Sequence, residues 1–89
     1  MAKRVDENQR AIVQALRQVG AQVLHLHTLG HGAPDLLVTF QGRLFLLEVK
    51  TADGELTPDE SQFHLRWPVA VVRSVGDAYV AIGLGRVVA

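Results

Sequence analysis

The stretch GHGAPDLLVTFQGRLFLLEVK, residues 30–50, places charged residues at both ends of two apolar runs. Asp35 opens the first run, and Glu48 and Lys50 close the second. Two carboxylates that face each other can share a divalent cation such as magnesium, which prefers oxygen ligands. Such a cation acidifies its bound water and neutralises the charge that develops on a phosphate under attack. A nearby lysine can hold that water, so these residue types predict phosphodiester hydrolysis.

The pairing of the two apolar runs decides how the charged groups meet. If residues 41–42 are the central turn residues, Asp35 lies directly opposite Glu48, with Cβ atoms about 4.5–5.5 Å apart. Lys50, two residues after Glu48, then lies on the same face of its strand. If residues 42–43 are central, Asp35 faces Lys50 and Glu48 lies diagonally. Both registers keep the three charged groups together.

Each of these residues also has a structural interpretation. An aspartate after proline is common in turns, and a Glu-x-Lys at a strand end can be a solvated rim. Two facing carboxylates, however, repel each other unless something neutralises them. Lys50 would do so as an ion pair, and a divalent metal would do so as a site. The glycine-rich loop at residues 28–34, which lets a ligand approach, favours the metal.

Capping patterns predict three helix starts, each with a capping residue and a partner three residues later. These pairs are Asp6 with Gln9, Thr57 with Glu60, and Ser74 with Asp77. The first helix is expected over residues 6–19, with Gly20 as its stop. The second has Pro58 at its first position and ends before Pro68. The third is a short helix or turn at residues 75–80.

Alternating or continuous apolar residues predict four strands. They are expected at residues 21–27, 35–40, 44–50 and 69–73. The resulting order is α-β-β-β-α-β-(α), which corresponds to an α/β fold with a small mixed sheet and helices on its faces. The tail, residues 83–89, remains ambiguous.

The composition is that of one ordinary globular domain covering residues 1–89, with 48% hydrophobic and 20% charged residues. No apolar run approaches the roughly 20 residues of a membrane span, and the N-terminus lacks the apolar stretch of a signal peptide. The absence of cysteine excludes disulfides and thiolate metal sites and agrees with a cytoplasmic location. A formal net charge of zero argues against a general basic coat for nucleic acid, but permits a localised site.

A series of sequence blocks resembles a known nuclease family. Pro34-Asp35 and Glu48-Val49-Lys50 look like the two halves of the PD-(D/E)XK motif. Over residues 6–83, the blocks NQRAIVQALRQVGAQV, GHGAPDLLV, LEVK, LTPDESQFH and VVRSVGDA resemble the VRR-NUC branch, the virus-type replication-repair nucleases. The resemblance implies a small restriction-endonuclease-like core and a Mg²⁺- or Mn²⁺-dependent endodeoxyribonuclease of phage or prophage origin.

The resemblance also implies a substrate and an assembly. We expect structure-specific cleavage of branched DNA such as a Holliday junction. Small size and family analogy together predict a homodimer with two active sites. The identity of any replication or repair partner protein stays open.

Carried over by position, the resemblance makes Asp35 and Glu48 the metal-binding carboxylates. Lys50 becomes the catalytic lysine, and the backbone carbonyl of Val49 becomes a further metal ligand. Asp35, Glu48 and Lys50 are therefore the principal predicted site residues.

Two further site positions depart from the family pattern. The family often has an acidic residue in the first helix, and Glu7 is preferred here over Asp6, which is already assigned as a cap. The family tends to have a glutamine early in the second helix. Glu60 stands at that position, with Gln62 two residues later, and the role of capping partner of Thr57 is preferred for Glu60.

Other residues are candidates for contacts with DNA, either through close backbone approach or through phosphate binding. They are Gly30, His31, Gly32, Arg43, Arg66 and Arg73. Each also has an interpretation as turn geometry or solvated surface charge. His25, His27 and His31 suggest a zinc site, which the lack of cysteine disfavours. His64 is interpreted as packing, and Trp67 as a helix stop and core plug, with base stacking as its alternative.

Two other function classes remain open. The first is a non-catalytic nucleic-acid-binding or assembly module on the same fold. Intact Asp35, Glu48 and Lys50 argue against it, whereas the neutral net charge argues weakly for it. The second is a hydrolase of small phosphoesters. Metal binding without turnover would identify the first class.

Overall fold

The computed structural model describes residues 4–84, and the sequence segment 85–89 of the ambiguous tail lies outside them. The elements are α1 (Val5–Gln18), β1 (Gln22–His25), β2 (Leu36–Phe40), β3 (Arg43–Val49), α2 (Pro58–Arg66), β4 (Val69–Val72) and α3 (Val75–Ala81). One sheet has the strand order β1-β2-β3-β4, in which only β3 and β4 run parallel. The mixed sheet and the element order confirm the predicted fold class. Within residues 4–84, no helix is long and apolar enough to cross a membrane.

The C-terminal end of α1 follows the sequence prediction. Gly20 has a φ of +95°, in the left-handed region that glycine adopts easily. The Ala21 N–H donates to the Leu16 carbonyl at 3.0 Å, and the Gly20 N–H donates to the Arg17 carbonyl at 3.1 Å. These two bonds form a Schellman motif, which turns the chain from α1 into β1.

The N-terminal end of α1 differs from the prediction. The helix begins at Val5 with Arg4 as N-cap, and no side chain caps it. The predicted capping box of Asp6 and Gln9 is therefore wrong. Asp6 lies inside the first turn, where a negative charge is favoured by the helix dipole. The Gln9 amide nitrogen instead lies 3.3 Å from His25 Nδ1 on the neighbouring strand.

The hairpin of β2 and β3 adopts the first of the two predicted registers. Leu36 pairs with Leu47, so residues 41–42 form the turn, and Asp35 just before β2 lies opposite Glu48. Gln41 and Gly42 have φ values of +52° and +78°. Two successive left-handed residues match the twist of the flanking strands. Turn geometry thus sets the position of the two carboxylates.

Alternation along the strands separates the core from the charged residues. One sheet face packs against α1 and α3 through fully or nearly fully buried side chains. These include Ile12, Leu16, Leu36, Val38, Leu47, Val49, Val72, Ala78 and Ile82. Because neighbouring strand residues point to opposite faces, Glu48 and Lys50 lie on the other face from Leu47 and Val49. The charges therefore lie outside the main core.

The second and third helices start as predicted. In α2, the Thr57 hydroxyl accepts from the Glu60 N–H, and Glu60 Oε1 accepts from the Thr57 N–H, which completes a capping box. In α3, the Ser74 hydroxyl accepts from the Asp77 N–H at 3.0 Å. Strand β1 is shorter than predicted, because a turn begins at Leu26.

Helix α2 has no buried residue, so contacts other than core packing hold it. Gly32, in the loop before β2, lies directly against its first turn. A Cβ added to Gly32 would overlap the carbonyl oxygen of Asp59 and would lie 2.9 Å from the Glu60 nitrogen. Glycine is therefore required at this position for the loop to touch α2.

We predict that Gly32→Ala destabilises the protein more than Gly30→Ala does. Both glycines have positive φ, so each alanine incurs a backbone cost of about 1–2 kcal/mol. Only Gly32 faces a neighbouring backbone, and Gly30 has open space around it. Overpacking should cost Gly32→Ala roughly a further 1–3 kcal/mol, measured by urea unfolding. Equal losses in the two variants would contradict the contact.

Candidate active site

Asp35 is held by hydrogen bonds from both neighbouring segments, the end of β1 and strand β3. Its backbone carbonyl accepts from the Leu26 N–H at 2.8 Å, and its carboxylate Oδ2 accepts from the Val49 N–H at 2.8 Å. Pro34, just before it, is fully buried. The carboxylate is therefore held at the open end of the β2–β3 hairpin, which is the place that the sequence predicts.

Glu48 is the most deeply buried carboxylate in the site. Only 2% of its surface is exposed, and its Oε1 atom is buried without a hydrogen-bond partner among residues 4–84. Burial raises the pKa of Glu48 to about 9, with further contributions from the hydrogen bond and charge of Asp35 and from the charge of Glu60. The positive charge of Lys50 opposes the shift. In the absence of a cation, this carboxyl group keeps its proton at neutral pH.

Lys50 forms an ion pair with α2. Its Nζ donates to Glu60 Oε1 at 2.7 Å, and both side chains are about five-sixths buried, with 15% and 16% exposure. Burial alone raises the pKa of Glu60, but the hydrogen bond from Lys50 and the backbone bond from Thr57 outweigh it, so the pKa is lowered. Glu60 thus both caps α2 and belongs to the charged cluster, two roles that are alternatives when only the sequence is considered.

Asn8 is the residue of α1 that reaches the site, and it is not among the residues predicted from the sequence. It is 6% exposed, and its Nδ2 donates to the Lys50 carbonyl at 2.8 Å and to the Arg73 carbonyl at 3.0 Å. Its position four residues before buried Ile12 is a signal that could have found it, because that spacing shares one helix face. Glu7, the predicted acidic residue, is exposed.

The predicted arginine contacts are widely separated. Arg73 uses its Nη1 to hold the loop after β3, donating to the carbonyls of Thr51 at 2.6 Å and Gly54 at 2.7 Å. Arg43 lies 5.4 Å over the ring of Phe45, at the turn end of the hairpin. Five strand residues at about 3.3 Å each place it roughly 17 Å from the carboxylates. Neither arginine lies over the carboxylate pair.

A shallow cleft of about 290 Å³ lies beside α2, and we call it the α2 cleft. It is lined by His31, Asp59, Gln62, Phe63, Arg66 and Trp67. Three predicted site residues, His31, Gln62 and Arg66, therefore lie together here. Trp67 is 54% exposed and stacks on Phe63, with ring centroids 5.3 Å apart. The prediction that Trp67 plugs the core is wrong, because α2 does not enter the core.

The histidines do not form the zinc site considered from the sequence. His25 and His27 line a groove along α1, whereas His31 lies in the α2 cleft. In the described part of the chain, no three His, Cys, Asp or Glu side chains are arranged to hold a metal ion. A cation at the hairpin end would therefore rely on two carboxylates, a backbone carbonyl and water.

The residues at the hairpin end fit such a cation. Oε1 of Glu48 accepts no hydrogen bond from the described residues, so it is available as an oxygen ligand. Val49 donates its N–H toward Asp35. In antiparallel pairing the N–H and C=O of one residue point to the same neighbouring strand, so the Val49 carbonyl lies on that side too. Two carboxylates with a carbonyl is an oxygen set suited to magnesium.

The α-β-β-β-α-β-α chain, with paired carboxylates and a lysine at the hairpin end, defines a nuclease-type fold. A solved structure described as "VRR_NUC domain" superposes with a TM-score of 0.72 at 25% sequence identity, covering 92% of this chain and 97% of that chain. The chain has the fold of a VRR-NUC domain, as its sequence blocks predict. No protein-family model and no curated protein matches the chain.

We predict that the metal-free protein loses stability as the pH rises from 4.5 toward about 9, the interval between the ordinary and folded pKa values of Glu48. The folded chain holds a proton there that the unfolded chain releases, so stability that is fully present below pH 4.5 is lost through this window. Glu48→Gln, which stays uncharged, should flatten the decline.

Urea unfolding in EDTA across the window measures this effect. The difference in slope between wild type and Glu48→Gln isolates the one carboxyl group from other titrating residues. Parallel slopes in the two proteins would show that Glu48 is not protonated in the fold.

Proposed function

We propose that the chain is a magnesium- or manganese-dependent endonuclease that hydrolyses DNA phosphodiester bonds. The observation that carries this proposal is the buried Glu48, whose Oε1 has no partner and which faces a second carboxylate. A buried carboxyl group with an unsatisfied oxygen costs stability, and groups with such strongly perturbed pKa values are typical of sites that bind a charged partner. The VRR-NUC fold supports a nuclease as the function of this pair.

Asp35, Glu48 and the Val49 carbonyl would hold the metal ion. When bound, that ion lowers the pKa of a water molecule and neutralises charge on the phosphate. Asp35 is positioned for this by the Val49 N–H, which fixes Oδ2. Glu48 would have to release its proton to bind the ion, so metal affinity should rise with pH.

Lys50 would act on the phosphate and the attacking water. Its ammonium group is held at 2.7 Å from Glu60 Oε1, so its direction is fixed before substrate arrives. A fixed positive charge stabilises the negative charge that develops on the phosphate without further reorganisation. Asn8 supports this arrangement by binding the Lys50 carbonyl, so we assign Asn8 a positioning role.

We propose branched DNA as substrate and a homodimer as the active assembly, following the family resemblance. One observation favours self-association. The sheet face opposite the core, which we call the leucine face, carries Leu24, Leu37, Leu44 and Leu46. Leu24 is 63% exposed and Leu44 is 72% exposed. The half-buried Leu37 and Leu46 lie between them, so the four side chains form one apolar patch, which is typical of association surfaces. A cytoplasmic location and a phage origin remain part of this proposal.

We predict metal-dependent cleavage of labelled DNA by the wild-type chain, abolished by EDTA. Asp35→Asn and Lys50→Ala should each reduce the rate at least about 100-fold, because each removes a group that acts on the reacting phosphate. Single-stranded, duplex, flap and four-way-junction substrates would be compared.

Asp53→Asn, which removes an exposed aspartate in the loop after β3, serves as the matched control and should cleave normally. Circular dichroism confirms folding of each variant. A folded protein that binds magnesium but cuts no substrate would identify the non-catalytic module instead.

We predict that the wild-type chain is a dimer by light scattering and that Leu44→Gln shifts it toward monomer. The change should weaken association at least about 10-fold, since an exposed leucine buried in an interface contributes roughly 1.5–3 kcal/mol. Leu65→Gln is the control, because Leu65 is 78% exposed and belongs to helix α2 rather than to the sheet. A wild type that is monomeric at high concentration would refute the dimer.

A further inference from the structure

Trp67 is the only tryptophan in the chain, and it is unusually exposed for a large aromatic residue. Its ring lies nearly parallel to that of Phe63, with an interplanar angle of 14° and centroids 5.3 Å apart. Phe63 therefore covers one face of the indole and fixes its orientation. The rest of the indole borders the α2 cleft as a rigid aromatic surface.

The polar residues of the α2 cleft complement a nucleotide. Arg66 supplies a positive charge suited to a phosphate, and His31 adds a ring nitrogen that can donate a hydrogen bond. Asp59 and Gln62 can bind the amino and carbonyl groups on the edge of a base. An aromatic surface beside a cation and hydrogen-bonding groups is the combination that binds unpaired bases.

The α2 cleft is connected directly to the carboxylate site. Asp59 in the cleft touches Gly32 through its backbone, and the next residue, Glu60, binds Lys50. Trp67 follows Glu60 by seven residues, which is roughly 10 Å along the helix axis at 1.5 Å per residue. That distance corresponds to about three steps of a stacked strand at 3.4 Å each.

We propose that the α2 cleft is a subsite for one unpaired nucleobase of the substrate strand, a few nucleotides from the bond that is cut. Trp67 stacks on the base, and Arg66 binds an adjoining phosphate. This inference rests on the proposed nuclease function and narrows its substrate class to strands with an unpaired stretch near the cut, because a paired base is not free to enter the cleft.

Tryptophan fluorescence tests the stacking without any cleavage, since Trp67 is the only tryptophan in the sequence. A short single-stranded DNA titrated in EDTA should quench the emission, and a fully paired duplex should quench it much less. An oligonucleotide with an abasic site moved stepwise along the strand should lose quenching at one or two positions. Single-stranded RNA in a parallel titration decides whether the subsite distinguishes the sugar.

Variants of Trp67 test how much the indole contributes to binding. Their affinity for labelled single-stranded DNA is measured by fluorescence anisotropy. Trp67→Ala should weaken binding about 10-fold or more, and Trp67→Phe should retain most of the affinity, since base stacking tolerates either ring. Leu65→Ala, on the same helix but outside the cleft, should bind normally. Equal affinities of Trp67→Ala and wild type would overturn the subsite.

The subsite proposal and the nuclease proposal can be refuted separately. Quenching by single strands without cleavage on any substrate supports the subsite and refutes the nuclease. Cleavage by a wild type that shows no quenching refutes the subsite alone. If both hold, Asp35→Asn should lose cleavage and keep the quenching, because Asp35 lies outside the α2 cleft.

Discussion

The pairing of buried Glu48 with half-buried Asp35 is the constraint around which the site is arranged. A charged carboxylate with 2% exposure, opposite another carboxylate, is unfavourable unless a positive charge or a proton neutralises it. In the metal-free chain a proton does so, as the pKa of about 9 for Glu48 indicates. The ion pair of Lys50 with Glu60 adds positive charge nearby, but Glu60 brings a negative charge of its own. With Glu48 protonated, the cluster of Asp35, Glu48, Lys50 and Glu60 therefore keeps a net negative charge. A divalent cation that displaced the proton would neutralise it.

Helix α2 shows how the site and its surroundings depend on each other. It buries no residue, so its position follows from the capping box at Thr57, the ion pair to Lys50 and the backbone contact with Gly32. The same helix carries the exposed aromatic pair of Phe63 and Trp67. Because a polar contact at its first turn sets its direction, the charged cluster also fixes where the α2 cleft lies.

Much of the fold follows from local rules. Gly20 ends α1, Thr57 with Pro58 and Glu60 starts α2, and turn chemistry restricts the hairpin to two registers that both bring the charged groups together. The prediction failed at the first turn of α1, where local capping signals favoured Asp6. Asn8 there bonds to carbonyls 42 and 65 residues away. Its spacing from Ile12 indicates the buried helix face, but no local pattern indicates which distant groups it bonds.

The sequence by itself determined the element order, the capping of α2 and α3, and the grouping of Asp35, Glu48 and Lys50, because these depend on spacing within a few residues or across one short hairpin. Only the tertiary structure decided which register forms, that Asn8 rather than Glu7 faces the site, and that Trp67 is exposed. The physical reason is that burial and the second partner of each polar group come from elements distant in the chain, whose approach is set by the packing of the whole core.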